Sequence, residues 1–155
     1  MIEINNLTTL LVDENFIKKI IEIVLKGELG ISKYRNIQLS IALIGQGRMR
    51  EINKRYRGKN RATDVLAFST SKVLLEKFRI GPLKKIEGLG EIVICLREIK
   101  KNAKRFKSNF KKELARVLIH GILHLLGYEH EKSEEKAKKM KEKEESYSNL
   151  IKFPI

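Results

Sequence analysis

Tryptophan is absent from this chain, cysteine occurs once in 155 residues, and no apolar run approaches the ~20 residues that a membrane-spanning helix requires. The lone Cys95 has no partner for an internal disulfide, which fits a reducing compartment rather than a stapled secreted scaffold. Met1-Ile2-Glu3-Ile4-Asn5-Asn6 lacks the basic start and apolar stretch of a secretory signal, so the expected setting is the cytoplasm. No basic segment is expected to pair its charges with exposed Trp or Phe anchors, which argues against a membrane surface as partner.

Charge of one sign is plentiful. The formal net charge is +14, and it is segregated: residues 48–61 hold seven Lys or Arg against Glu51 alone, and residues 72–112 hold thirteen against four acids. The remainder is near neutral. Such clustering points to a polyanionic partner, with nucleic acid foremost. A chain of this length reads as one domain over residues 1–155, able to bury roughly 68–70% of the surface its unfolded form exposes.

Hydrophobic spacing organises that domain. Ile2 and Ile4 suggest a first strand. Asp13 reads as the N-cap of a helix whose Phe16, Ile17, Ile20, Ile21 and Val24 recur at helical spacing as far as Gly27. Ile37, Leu39, Ile41 and Leu43 alternate with other residues as in a strand buried on one face, and Met49, Ile52 and Tyr56 mark a basic helix closed by Gly58. Asp64–Phe68 reads as a third strand, the stretch from Ser71 to Leu89 as a long basic excursion, and Glu91–Leu96 as a strand covered on both faces. Leu96, Ile99, Ala103, Phe106 and Phe110 then predict a helix with Lys100 and Lys104 on its outer side. A second helix follows from a cap at Ser108 or Asn109, and a third from Ser133. The order implies an α+β domain, a small mixed sheet packed with helices and a histidine-bearing helix near its centre.

All three histidines fall within eleven residues, Val117-Leu118-Ile119-His120-Gly121-Ile122-Leu123-His124-Leu125-Leu126-Gly127-Tyr128-Glu129-His130 holding them at offsets of four and six. Residues four apart share a helix face, and Gly127 can adopt the left-handed conformation that ends the helix and turns His130 back. Three neutral imidazoles leave a coordination position open on a divalent metal, as in catalytic zinc sites; nickel, copper or iron would also accept them. The spacing is that of the metzincin protease scaffold, but Gly121 stands where those enzymes carry the glutamate general base. Peptide hydrolysis therefore lacks its usual proton acceptor, and a glycine leaves room beside the metal for a bulky substrate. Asp64 reads either as a partner orienting a histidine or as a strand-start cap, Tyr128 as packing over the site, and Cys95 as core.

His120-Gly121-Ile122-Leu123-His124-Leu125-Leu126-Gly127-Tyr128-Glu129-His130 resembles the signature of the YbeY family of rRNA maturation factors. Asn53-Lys54-Arg55-Tyr56-Arg57-Gly58, Thr63-Asp64-Val65-Leu66-Ala67-Phe68 and Gly90-Glu91-Ile92-Val93-Ile94-Cys95 are similar to further family segments. The family more often has aspartate at the positions of Glu129 and Glu91, and frequently Ser and Pro where this chain has Ala67 and Ser69. The resemblance implies a metal-dependent, single-strand-specific endoribonuclease acting in maturation of 16S rRNA and in ribosome quality control. It implies one Zn2+ held by His120, His124 and His130, with Arg57 on RNA phosphate. Arg57 and His124 are then the expected catalytic residues, and Arg57, Lys59, Arg61, Lys100 and Lys104 the expected RNA contacts. The partners would be precursor rRNA and the small ribosomal subunit, with a monomer acting. Two other classes stay open: a metalloprotease or other zinc hydrolase, and a non-catalytic ribosome assembly factor with a structural metal.

Overall fold

The structure, a computed structural model, describes residues 1–69 and 87–151. Elements follow in the order β1 (Ile2–Asn6), α1 (Glu14–Tyr34), β2 (Ile37–Ile44), α2 (Gln46–Arg57), β3 (Val65–Ser69), β4 (Glu87–Cys95), α3 (Leu96–Arg105), α4 (Phe110–Leu125) and α5 (Glu134–Leu150). The sheet runs β1-β2-β4-β3, with β1, β2 and β4 parallel and β3 antiparallel along one edge. The α+β expectation of a mixed sheet with helices against it is met.

Period-two alternation divides the core. Ile41 and Leu43 of β2 and Ile92 and Ile94 of β4 turn toward a large cluster built with α1, α3, α4 and α5. Ala42, Ile44, Val93 and Cys95 turn the other way, onto Met49 of α2 and Leu66 of β3. The second half of β2 is thus buried on both faces, not one, because α2 folds back over it. Cys95 is core as expected, and burial pushes its thiol up.

Several boundaries differ from the sequence reading, each for a local reason. Asp13 caps α1 by accepting from the Phe16 N–H, but the helix continues past Gly27 and kinks only at Gly30. Gly27 is instead a close-approach residue: a Cβ there would lie 2.5 Å from the Tyr147 hydroxyl of α5. β4 begins at Glu87 and absorbs Gly88 into an irregular register opposite Gln38 and Leu39, so Gly88 does not break the strand. The rest of the proposed basic excursion, residues 71–86, lies outside the described residues. Phe106 is exposed and Phe110 starts the next helix, because the chain turns through Lys107 at φ 52° before Asn109 caps α4. Gly58 caps α2 in the left-handed conformation, as its position implies.

Candidate metal centre

α4 lies against β3 and β4 with Leu114, Val117, Leu118 and Leu125 buried, which fixes its rotation and turns His120 and His124 out of the core. Leu125 is its last helical residue. Gly127, at φ 99°, then reverses the chain, and the Tyr128 N–H donates to the Leu123 carbonyl at 3.0 Å. This reversal returns His130 to the other two histidines. Ring centroids stand 4.5 Å apart for His120 and His124, 5.3 Å for His120 and His130, and 5.0 Å for His124 and His130. One nitrogen from each ring lies within 4.8 Å of the others, the only such cluster among the described residues.

Hydrogen bonds on the outer nitrogens set the state of the inner ones. His124 Nδ1 is 3.0 Å from the Tyr128 carbonyl, which can only accept, so Nδ1 carries the proton and Nε2 keeps its lone pair. His120 Nδ1 is 2.7 Å from Glu144 Oε1 of α5. Burial opposes ionisation of Glu144, but the hydrogen bond and charge interaction with His120 outweigh it and hold the carboxyl below its ordinary range. An ionised Glu144 likewise can only accept, so His120 Nδ1 carries the proton and donates it. The two Nε2 atoms then face each other at 3.0 Å, an arrangement that a cation shared between them stabilises. Burial, then the neighbouring His120 and His130, lower the His124 pKa, keeping the imidazole neutral as a ligand must be. Tetrahedral coordination with bonds of about 2.0–2.1 Å sets donors about 3.4 Å apart, and the 3.0 Å between the His120 and His124 Nε2 atoms lies close to that value. The donor set fits a divalent transition metal.

The other expected residues divide into two groups. Arg57, exposed at the end of α2, is near enough for its charge to act on His124. Lys59 and Arg61 follow on a loop held to α2, where the Asn53 amide donates to the Arg61 carbonyl at 2.9 Å and the Arg50 Nε to Asn60 Oδ1 at 2.9 Å. Lys100 and Lys104 lie elsewhere, lining a basic concavity of about 530 Å³ with Arg97, Lys101 and Phe110. Phe110 and His120 are ten residues apart on α4, about 15 Å along its axis.

Three readings of individual residues need correction. Gly121 does not open space beside the metal: its Cβ position is 3.3 Å from Ile92 Cδ1 and 3.6 Å from Val65, so it lets α4 settle on the sheet. Asp64 touches no histidine. It accepts from Asn102 at 3.3 Å and pairs with Arg116 at 3.5 Å, while Arg116 also pairs with the buried Glu113 at 3.0 Å. Tyr128 makes no ring contact with the three histidines, and its hydroxyl donates to Glu28 of α1 at 2.5 Å.

Two functional carboxylates, Glu144 and Glu28, carry no motif in the sequence. Glu144 follows the buried Met140 by four and precedes Tyr147 by three; Glu28 follows Val24 by four and Ile21 by seven. A carboxylate on a core-facing stripe is the signal that could have found both.

Residues 3–152 match the family described as Endoribonuclease YbeY. Curated relatives of that name include one from Sulfurihydrogenibium, 40% identical over 129 residues, covering 83% of this chain and 77% of the relative. Another, from Thermotoga maritima, is 37% identical over 134 residues, covering 86% and 77%. A Thermotoga maritima protein solved in solution superposes with a TM-score of 0.62 at 31% identity, over 96% of this chain and 87% of that one. The match spans the histidine helix, its turn and the α5 carboxylate alike, and the chain belongs to the endoribonuclease YbeY family.

Proposed function

We propose that the protein is a zinc-dependent endoribonuclease of the cytoplasm that cuts single-stranded precursor rRNA, 16S rRNA in particular, as a monomer working with the small ribosomal subunit. One observation carries this reading: three imidazole nitrogens converge with a glycine, not a glutamate, following the first of the histidines, and Arg57 supplies positive charge from a separate element. The spacing is metzincin-like, yet position 121 is packed against Ile92 and Val65, so the peptidase base is missing and its place is filled. When bound, the metal supplies Lewis acidity and positive charge at a phosphodiester. Arg57 holds a phosphate oxygen through parallel N–H donors. Glu144 and the Tyr128 carbonyl fix the tautomers of His120 and His124, directing both Nε2 atoms inward. Lys59 and Arg61 extend the cationic track beside Arg57, and the Lys100 and Lys104 concavity takes more distant phosphates.

Labelled single-stranded RNA tests the assignment. Cutting should disappear on chelation and in His124→Ala, and fall by about 10²–10³ in Arg57→Ala, the range for losing one electrostatic stabiliser. Cutting by chelated His124→Ala would sink the metal-nuclease reading. A 2′-deoxy substitution at the cleaved position identifies the nucleophile, because unchanged cleavage rules out attack by the 2′-hydroxyl.

A further inference from the structure

The sheet face turned away from the histidine helix carries a second feature. Between α2 and the β3–β4 edge lies a concavity of about 500 Å³, within the roughly 300–1,000 Å³ of small-molecule sites. Tyr56 and Phe68 form an aromatic corner in it, their rings edge to face at 67° with centroids 5.3 Å apart. Tyr56 is 62% exposed, although Met49 and Ile52 of the same helix pack inward. The Arg55 guanidinium lies 5.7 Å from the Tyr56 ring centre. Arg48 and Glu51 line the concavity from earlier turns of α2, and Glu91 lines it from β4. Among the described residues none of these four charged side chains is taken up in an ion pair.

An open aromatic face beside a guanidinium, with carboxylates able to accept from amino and imino N–H groups, is the chemistry that receives an unstacked nucleobase. Its place in the fold agrees. Tyr56 immediately precedes Arg57, whose charge reaches His124. Edge strand β3 presents Val65 to α4 on one face and Phe68 to this concavity on the other. A strand crossing that edge with one phosphate at Arg57 brings a neighbouring base to Tyr56.

We propose that this concavity is a nucleobase subsite, stacking one base of single-stranded RNA on Tyr56, with Phe68 as the wall at its edge, beside the phosphate that Arg57 holds. The proposal rests on the endoribonuclease reading above.

The test is a cycle of kcat/KM values for the zinc-loaded protein on a short single-stranded RNA, intact or with one base at a time replaced by an abasic site. Stacking predicts that Tyr56→Ala lowers kcat/KM on intact RNA about tenfold, and that one abasic position lowers wild type by the same factor. At that position Tyr56→Ala should show no further loss, whereas Tyr56→Phe, which keeps the ring, should behave as wild type. A fold defect in Tyr56→Ala would instead lower activity on every abasic RNA by the same additional factor, and that result overturns the subsite. Wild-type kcat/KM in Tyr56→Ala overturns it too. If zinc-loaded wild type cuts no RNA, the endoribonuclease reading itself fails and the subsite falls with it; normal cutting indifferent to Tyr56 removes the subsite alone.

Discussion

At His120 and His124, two nitrogens that would repel as free lone pairs are held 3.0 Å apart by bonds made on the far side of each ring. Glu144 contributes one of those bonds, at 2.7 Å. Glu144→Gln keeps the shape and removes the charge, and should lower zinc affinity by about 10–100-fold, the usual cost of losing such an orienting partner. Competition against a chromophoric chelator measures this directly, and unaltered affinity would deny Glu144 its orienting role. Gly121 offers a complementary case. Gly121→Glu restores the protease spelling, but its side chain starts 3.3 Å from Ile92 and drives a carboxylate into the sheet. It should cost about 3 kcal/mol or more of stability and confer no peptidase activity. A melting curve and a casein assay decide both points.

Among elements, α1, α5 and the turn after α4 meet at one carboxylate. Glu28, 8% exposed at its side chain, accepts from the hydroxyls of Tyr128 and Tyr147 and pairs with Lys143 at 3.1 Å. Burial and the Glu28 contact push the Tyr128 phenol up to about 12, so it stays a donor throughout the working range. Burial raises the Glu28 pKa, but these three donors outweigh it and leave the group below its ordinary 4.5. A depressed carboxylate contributes stability that is present above 4.5 and lost as pH falls through the folded-state value. Glu28→Gln should therefore be less stable than wild type by about 2 kcal/mol at neutral pH, with the gap closing below pH 4.5. Urea midpoints of both proteins across that range supply the check; a gap independent of pH would assign the loss to packing.

Across the whole molecule, a net +14 concentrated in residues 48–61 and 72–112 governs long-range attraction. RNA affinity should fall linearly with salt on logarithmic axes, and Arg57→Ala should flatten that slope by about 0.7, the contribution of one phosphate contact on a single strand. Lys100→Ala with Lys104→Ala should flatten it only for RNA long enough to span from the histidines to the α3 concavity, about 15 Å along α4. Fluorescence anisotropy on a ladder of RNA lengths separates the two surfaces. An equal effect on the shortest strand would place Lys100 and Lys104 beside the cleavage point.

What local chemistry controls was readable without coordinates. Asp13, Asn109 and Ser133 cap their helices because a short side-chain oxygen satisfies an orphan N–H wherever such a residue precedes an apolar-periodic run. The four-residue spacing of His120 and His124, and Gly127 with its left-handed turn, required no distant partner. Contacts across long separations were not readable. Nothing local states that Glu144 reaches His120, that Glu28 ties down Tyr128, or that Gly121 faces Ile92 rather than the metal. Spacing within one helix is a property of that helix, whereas those pairings depend on how separate elements rotate and settle on a shared core. Spacing along one helix and its turn was enough to pick out the three histidines, while the groups that hold them in place come from elements brought together by packing.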